Sequence, residues 1–239
     1  MKSYKYHILS IFLLLFSFCK QDFGGKEEKN EKANKTIIKS SSILKNKVDE
    51  ITKIKPDFDT NEWDELTTVD DSVILDIRYA QSNNFVKKKM YKCGRCFVKP
   101  HIAEKLKNVN SDLLKKGYKL KLFDCYRPKP VQEELWKIMP DEDYVAAPWK
   151  GSMHNRGIAV DLTIVDNQGH ELDMGTPYDF FGKEAHLTYT NLSENVLKNR
   201  NLLKETMEKF GFQSIKTEWW HYSDSSKSEA ISDWQWNCN

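Results

Sequence analysis

Three polar side chains interrupt segments that otherwise have the composition of a buried core: His154, Asp161 and His221. Imidazole nitrogen and carboxylate oxygen both bind zinc, and a catalytic zinc site keeps three protein ligands and one position for water. Two histidines and one aspartate satisfy that requirement. The spacing of seven residues from His154 to Asp161 exceeds one helical turn, so it requires a loop that enters a strand. Gly157 between them allows the bend.

A carboxylate lies close along the chain to one of these histidines. Glu218 precedes His221 by three residues, with Trp219 and Trp220 between them. Residues at odd separation in a strand face opposite sides, so a bend is needed for both to reach one site. The aromatic neighbours would shelter the carboxylate and raise its pKa. A sheltered carboxylate suits a general base that takes a proton from zinc-bound water.

Each of these residues also has a plain structural interpretation. A single histidine in a strand is more commonly a hydrogen-bonded structural residue than a ligand, because functional sites are few in any protein. Asp161 alone could belong to a turn or a helix cap, and Glu218 alone could be half of a surface ion pair. The prediction of a metal site therefore depends on the ligand types and their spacing taken together.

The spacing of apolar residues predicts the elements that would position these groups. Strands are expected over Ser72–Arg78, Tyr118–Tyr126, Gly157–Ile164 and Thr217–Tyr222. Helices are expected from Pro100 to a stop at Gly117, over Val131–Ile138 before Pro140, and over Asn195–Phe210 before Gly211. Proline and glycine end such helices. Strands and helices follow one another without a regular βαβ rhythm, which predicts an α+β fold with a central antiparallel sheet flanked by helices.

The composition excludes several classes of protein. Of the 239 residues, 39% are hydrophobic and 12% are aromatic, enough for a folded core in one domain with appendages. A mean hydropathy of −0.67 excludes a multi-span membrane protein. The 37 basic and 35 acidic residues give a formal charge of +2. No nucleic-acid partner is expected, because proteins that bind nucleic acid usually carry a clear basic excess.

The N-terminal segment resembles an export signal. Lys2 and Lys5 precede an almost unbroken apolar run that ends at Phe18, shorter than the about 20 residues of a membrane span. Cys19 follows directly and resembles the lipidated cysteine of bacterial lipoproteins, although Phe18 stands where that pattern has a small residue. Plain secretion and an uncleaved anchor are the alternatives. The expected location is the periplasm or cell envelope, with membrane contact through the lipid alone.

The export signal and the composition after it divide the chain into three predicted regions. Residues 1–18 are predicted as the signal peptide, 19–42 as a charged, serine-ended tether from a lipidated Cys19, and 43–239 as the folded domain. Leu44, Val48 and Ile51 have helical spacing, so a short helix over Ile43–Lys55 is expected to begin the domain.

Four cysteines follow Cys19: Cys93, Cys96, Cys125 and Cys238. An even number in an exported protein favours disulfides, whose pairing the sequence does not give. Cys93 and Cys96 could instead form half of a zinc site or a redox pair. However, no second Cys-x-x-Cys is present in the sequence, and the surroundings do not read as the βαβ unit of a thioredoxin-like motif.

The motif Ser152-x-His154-x-x-Gly157-x-Ala159-x-Asp161, followed by Glu218-x-Trp220-His221, resembles the zinc D-alanyl-D-alanine dipeptidases. The resemblance is strongest to the vancomycin-resistance dipeptidase subgroup, which is related to zinc D-Ala-D-Ala carboxypeptidases. Further matching stretches are Arg78–Ala80, Asn84–Phe85, Asp124–Pro128 and Asp173–Phe180. The motifs occur in the family's order from about Val73 to Tyr222, so the resemblance covers most of the predicted domain.

The resemblance implies a zinc D-Ala-D-Ala peptidase-like fold with one zinc ion per chain, held by His154, Asp161 and His221. Glu218 would be the general base that activates water and later protonates the leaving amine. Arg127 would stabilise the oxyanion. A salt bridge that anchors the loop before Pro128 is the plainer role for Arg127.

Substrate contacts are implied for three further residues. Tyr79 and Asp179 match positions near the amino end of the dipeptide. Ser152 could bind the substrate carboxylate or its backbone.

The resemblance also implies the reaction, which is hydrolysis of D-Ala-D-Ala to two D-alanines by a metal-activated water. The first alternative is a D,D-carboxypeptidase or endopeptidase acting on peptidoglycan stem peptides. Export favours it, and so does the stretch from Arg127 to His154, which is shorter than in the resistance enzymes. The second alternative is a zinc-stabilised wall-binding module without turnover, although Glu218 and Arg127 are the groups that a hydrolytic site requires.

Overall fold

The computed structural model describes residues 55–238. Its helices are α1 (Leu66–Val69), α2 (Pro100–Leu114), α3 (Lys129–Ile138) and α4 (Glu194–Lys209). Its strands are β1 (Asp64–Glu65), β2 (Ile74–Leu75), β3 (Phe97–Val98), β4 (Tyr118–Asp124), β5 (Ala159–Asp166), β6 (Gln213–Ser214) and β7 (His221–Ser223). The predictions for the signal segment, Cys19, the tether and the helix over Ile43–Lys55 lie outside the described residues, apart from Lys55 itself.

One five-stranded sheet has the order β2-β4-β5-β7-β6, and β1 and β3 form a separate antiparallel pair. Three neighbouring pairs of the large sheet are antiparallel, which agrees with the predicted α+β fold. The exception is the edge strand β2, which is parallel to β4. The chain crosses over between these two strands through α2, and a parallel neighbour requires a long connection of this kind.

The three helices predicted within the described residues are confirmed. α2 packs against β4 and α4 and buries Ile102, Leu106, Val109 and Leu113 at 0% exposure, which is the apolar face that the sequence predicted. Gly117 follows this helix with a φ of +83°, a conformation that glycine adopts without strain. α3 ends at Ile138, and α4 ends at Lys209, before Gly211.

Two predicted strands are shorter in the structure. Within Ser72–Arg78 the paired strand is limited to Ile74–Leu75, and a 3₁₀ turn begins at Arg78. Within Thr217–Tyr222 the strand begins at His221, and residues 217–220 lie in a bent segment. A strand forms only where a neighbouring strand pairs with it, and the local sequence does not give the limits of that pairing, so the sequence pattern overestimates these two strands.

Two disulfides, Cys93–Cys238 and Cys96–Cys125, confirm the prediction for the cysteines. The segment after β7 forms no strand but returns across the domain, where the Trp234 ring stacks on Trp63 with centroids 5.2 Å apart. Trp236 is also buried. Cys93–Cys238 therefore links the end of the chain to the domain near two packed tryptophans. Within the described range, no helix has the length and apolar character needed to cross a bilayer.

Candidate active site

Strand register brings the predicted ligands together. Asp161 on β5 is paired directly with His221 on β7, and Asp124 on β4 is paired with Asp161 from the other side. His154 comes from a 3₁₀ turn over His154–Arg156 that precedes β5. Gly157 ends this turn with a φ of +68°, which is the bend that the spacing from His154 to Asp161 required.

Three ligand atoms form a nearly equilateral triangle. His154 Nε2 lies 3.1 Å from His221 Nδ1 and 3.2 Å from Asp161 Oδ1, and His221 Nδ1 lies 3.0 Å from Asp161 Oδ1. Ligands at bond lengths of 2.0–2.1 Å from a tetrahedral zinc are separated by about 3.3 Å. His154, Asp161 and His221 are all buried and could together hold a metal ion, so the donor set fits zinc in both type and spacing.

In His154 and Asp161, the polar side-chain atom that does not face the triangle forms a hydrogen bond to another residue. His154 Nδ1 is 2.7 Å from the carbonyl oxygen of Cys125, and because a carbonyl can only accept, Nδ1 carries the hydrogen and Nε2 keeps its lone pair. Tyr178 donates its hydroxyl hydrogen to Asp161 Oδ2 at 2.9 Å. Burial opposes ionisation of Asp161, but His154 and His221 outweigh it and lower its pKa. These outer contacts orient the ligand atoms toward one point.

The bent segment before β7 brings Glu218 to the same cavity. Glu218 Oε2 is 4.0 Å from His221 Nδ1, although the two residues are three apart in the chain, because residues 217–220 are not part of the strand. Burial raises the pKa of Glu218 to about 7, and the negative charge of Asp161 adds to the effect. This carboxyl group can therefore both accept and return a proton near neutral pH.

Arg127 is held by Asp124, the first residue of the matching stretch Asp124–Pro128, and by Gln132, for which no role was predicted. Its Nε and Nη2 donate to Asp124 Oδ2 at 2.9 and 2.7 Å, and its Nη1 donates to Gln132 Oε1 at 2.9 Å. Nη2 also lies 3.8 Å from Asp161 Oδ2. Burial alone would lower the pKa of Arg127, but the carboxylate of Asp124 outweighs it and raises that pKa further above its ordinary range. The guanidinium thus stays charged beside the ligand triangle.

The three predicted substrate contacts lie in the same cavity. Tyr79 donates its hydroxyl hydrogen to Asp179 Oδ2 at 3.3 Å. Asp179 has a φ of +59°, a strained conformation for a residue with a side chain that is found often at functional sites. Ser152 Oγ accepts a hydrogen bond from the His154 backbone N–H at 3.2 Å, so the serine hydroxyl can still donate.

All eight predicted site residues in the described range line one cavity of about 230 Å³: Tyr79, Arg127, Ser152, His154, Asp161, Asp179, Glu218 and His221. Asp161, Asp179 and Glu218 bring three of its five carboxyl groups, and Glu142 and Asp143 supply the other two. Among its described lining residues Arg127 is the sole lysine or arginine, and its hydrogen bonds go mainly to Asp124. Burial and the charge of Asp161 raise the pKa of Asp179 well above its usual range. The cavity therefore favours cationic ligands.

Three aromatic rings that were not predicted form a wall of this cavity: Phe85, Tyr144 and Phe181. The ring centroids of Phe85 and Phe181 are 5.0 Å apart, and those of Tyr144 and Phe181 are 4.9 Å apart. Phe85 also contacts Tyr79, at 6.3 Å between centroids. Because Tyr79 binds Asp179, this aromatic wall borders the Asp179 end of the cavity. Asn84–Phe85 was in a motif that matched the family, whereas nothing local in the sequence indicated Tyr144 or Phe181.

Comparisons with known proteins agree with this geometry. A sequence model of the Peptidase M15 family, described as D-ala-D-ala dipeptidase, matches residues 59–237. The chain is 34% identical over 165 residues to the D-alanyl-D-alanine dipeptidase of Escherichia coli (strain K12), which covers 69% of this chain and 85% of that protein. It is 30% identical over 171 residues to the D-alanyl-D-alanine dipeptidase of Enterococcus faecalis, covering 62% and 83%.

A solved structure of the vancomycin resistance D,D-pentapeptidase VanY also matches, with a TM-score of 0.34 and 18% identity over 54% of this chain and 73% of the VanY chain.

Proposed function

We propose a function for this chain from the premise that it belongs to the Peptidase M15 family of D-Ala-D-Ala dipeptidases. It is a zinc metallopeptidase that hydrolyses D-alanyl-D-alanine to two molecules of D-alanine. The observation that carries this conclusion is the triangle of ligand atoms from His154, Asp161 and His221, with Glu218 and Arg127 lining the same cavity.

One zinc ion per chain would be held by His154 Nε2, Asp161 Oδ1 and His221 Nδ1. Three protein ligands are the number that a catalytic zinc keeps, which leaves one position for water. When bound, zinc lowers the pKa of such a water to about 7 and polarises the scissile carbonyl.

Glu218 carries the proton between the two halves of the reaction. Its carboxylate takes a proton from the water as the water oxygen adds to the carbonyl carbon. It then gives that proton to the nitrogen of the leaving D-alanine as the C–N bond breaks. A carboxyl group with a pKa raised to about 7 can serve in both directions at neutral pH. The proton taken from the water is the one given to the leaving amine, so the reaction needs no other proton donor.

Arg127 stabilises the negative charge that develops on the carbonyl oxygen. Its guanidinium is already charged and held in place by Asp124 and Gln132, so little reorganisation is needed during the reaction. A single donor of this kind contributes about 3–4 kcal/mol of transition-state stabilisation in acyl-transfer sites.

Asp179 and Tyr79 hold the amino end of the dipeptide. A buried carboxyl group without a basic partner in the described range is suited to the ammonium group of a small substrate, which would restore its ionised form. At the other end, the Ser152 hydroxyl can donate to the substrate carboxylate.

The size of the cavity favours a dipeptide over a longer peptide. Its volume of about 230 Å³ is below the about 300–1,000 Å³ of pockets for drug-sized ligands. An acyl group attached to the substrate amine at Asp179 would meet the wall of Phe85, Tyr144 and Phe181. The short stretch between Arg127 and His154 supplies Tyr144 to this wall. The dipeptidase reaction is therefore favoured over carboxypeptidase or endopeptidase action on stem peptides.

We also propose that the enzyme is exported and attached to the membrane through a lipid on Cys19. The apolar run that ends at Phe18 and the cysteine directly after it support this. Residues 19–239 have equal numbers of basic and acidic side chains, so electrostatic attachment is not implied. In this location the chain would meet dipeptides released from peptidoglycan. Cys19→Ala should release the protein from the membrane fraction of cells, and unchanged membrane attachment would contradict lipidation.

Product analysis with paired substrates tests the reaction. The full chain, purified in detergent, should convert D-Ala-D-Ala to D-alanine and act at least about tenfold more slowly on the N-acetyl form, because the blocked amine cannot pair with Asp179. A preference for the acetylated peptide would indicate a carboxypeptidase. If neither peptide is cleaved, the result would favour a zinc-stabilised wall-binding module without turnover.

Removal of zinc with a chelator should abolish the activity, and added zinc should restore it. Unchanged turnover after the zinc loss has been verified would contradict a zinc mechanism.

A further inference from the structure

The disulfide between Cys96 and Cys125 lies beside the hydrogen bond that orients His154. Both cysteines are fully buried, at 0% and 1% exposure. The carbonyl oxygen of Cys125 accepts the hydrogen of His154 Nδ1 at 2.7 Å. The cross-link is therefore formed by the same residue whose backbone fixes the tautomer of a proposed zinc ligand. No catalytic role is needed for these cysteines in the reaction proposed above.

Three hydrogen bonds join the segment of Cys125 to the turn that carries His154. Besides the bond to Nδ1, Arg127 N donates to the His154 carbonyl at 3.1 Å. Asn155 Nδ2 donates to the Arg127 carbonyl at 2.8 Å. The two segments are thus held as one unit, and a displacement of residues 125–127 would be transmitted to the His154 ring.

On the other side, the same segment is joined to β3. The disulfide connects Cys125 to Cys96, and Tyr126 N donates to the Phe97 carbonyl at 2.8 Å. The register of β4 with β5 is irregular between Leu122 and Asp124, and Asp124 is the last residue of β4. Cys125 therefore lies beyond the end of the strand, and the disulfide provides a covalent link where the pairing of β4 with β5 stops.

We propose that the Cys96–Cys125 disulfide positions His154 for zinc, so that tight metal binding depends on oxidation of these two cysteines. The inference rests on the proposed zinc site. A partner that orients a ligating histidine typically contributes a factor of about 10–100 in metal affinity. Without the cross-link the Cys125 carbonyl can move away from Nδ1, and the ring loses the restraint that directs Nε2 toward Asp161 and His221. The metal site would then form fully in an oxidising compartment.

The second disulfide supplies a matched control. Cys93–Cys238 links the end of the chain, and Cys238 is exposed. The C-terminal segment does touch the His154 turn, because Ser232 N donates to the Asn155 carbonyl at 2.8 Å. However, Trp234 and Trp236 pack in the domain between Ser232 and Cys238, so this contact does not require the cross-link.

The test compares zinc affinity in two double variants of the full chain, Cys96→Ala/Cys125→Ala and Cys93→Ala/Cys238→Ala. Zinc affinity is measured by competition with a chromophoric chelator in the absence of substrate, and circular dichroism checks that each variant is folded. We expect affinity to fall about tenfold or more in the first variant and to change less than twofold in the second. The cobalt-substituted first variant should also show an altered visible spectrum. Equal zinc affinities in two folded variants would overturn the proposal.

A reduction experiment covers the case in which the first variant does not fold. Cys93→Ala/Cys238→Ala protein retains a single disulfide, which can be reduced stepwise while zinc affinity and circular dichroism are followed together. Weaker zinc binding with native dichroism, restored by reoxidation, supports the proposal. Unfolding in step with zinc release would make the disulfide a structural cross-link alone and would contradict positioning. Because zinc affinity is measured without substrate, this test does not depend on whether the protein cleaves D-Ala-D-Ala, and a failed dipeptidase assay would count against the proposed function alone.

Discussion

Asp161 and His221 are direct partners across β5 and β7, with Asp161 Oδ1 3.0 Å from His221 Nδ1. On the other side of Asp161 the register places Asp124, which holds Arg127. One antiparallel register therefore positions two proposed metal ligands and the support of the proposed oxyanion donor. A slip of one residue would turn each of these side chains to the opposite face of the sheet.

Glu218→Gln should separate catalysis from metal binding. Glutamine has nearly the same shape but cannot take the proton of the water, so we expect turnover of D-Ala-D-Ala to fall by about 10²–10⁴-fold. Zinc content should be unchanged, because Glu218 is not among the three ligand residues. Steady-state kinetics and metal analysis of the same sample check both expectations. Normal turnover with full zinc content would show that another group is the base.

The acid side of the pH–activity profile should reflect Glu218. Its carboxylate form is the active base, so kcat/KM falls as the pH drops through the pKa of this group. Burial raises that pKa to about 7, and a bound cation lowers it from there. We therefore expect the acid limb at or below about pH 7, and no such limb in the residual activity of Glu218→Gln.

Zinc content must be measured at each pH, because protonation of the histidine ligands also releases metal. An acid limb that follows zinc loss alone, or that persists in Glu218→Gln, would contradict the assignment.

Much of the fold could be predicted because its helices and central strands bury one face. The buried positions of α2 follow the spacing of Ile102, Leu106 and Val109, and β5 lies where its apolar run predicts it. A bend between Glu218 and His221 was expected because both were predicted to reach one site, but its extent was not, because the start of β7 at His221 depends on pairing with β5. The parallel pairing of β2 depends on the path of the crossover, which leaves no local signal.

The candidate site also has one part that could be predicted from the sequence and one part that could not. Motifs pointed to the proposed ligands and to Glu218, because their residue types carry the chemistry. The supporting residues are ordinary in sequence: Gln132 lies on a predicted helix, and Tyr144 and Phe181 lie in loops. Their roles depend on tertiary contacts between distant segments, such as the ring pair of Tyr144 and Phe181 at 4.9 Å.

Asp124→Asn should reduce both stability and activity. Asp124 is fully buried and accepts two hydrogen bonds from Arg127, so removing its charge leaves the buried guanidinium with the longer ionic contact to Asp161 Oδ2 at 3.8 Å. We expect the free energy of unfolding to fall by about 3–5 kcal/mol and kcat to fall because Arg127 is less well held. Urea unfolding and kinetics measure the two effects.

Asp76→Asn is the control for that substitution. Asp76 also pairs with an arginine, Arg78, at 2.9 Å, and with Lys121 at 3.3 Å, but these side chains are partly exposed. A pair of this kind contributes about 0–1 kcal/mol. Equal losses of stability in the two variants would show that the buried position of the Asp124–Arg127 pair has no special importance.

Opening the aromatic wall should relax the selection for a free amino end. Phe181 contacts both Phe85 and Tyr144, so Phe181→Ala removes the ring that joins the wall, and Tyr144→Ala removes one side of it. In each variant we expect the rate on N-acetyl-D-Ala-D-Ala relative to D-Ala-D-Ala to rise by about tenfold or more, the size of effect that pocket groups of this size have on specificity. The measurement is the ratio of kcat/KM for the two peptides.

Trp149→Ala is the matched control, because Trp149 lies in the same loop as Tyr144 but is 71% exposed and packs on Trp136 rather than on the wall. If the ratio stays at the wild-type value in both wall variants while D-Ala-D-Ala is still cleaved, substrate length is set elsewhere in the cavity.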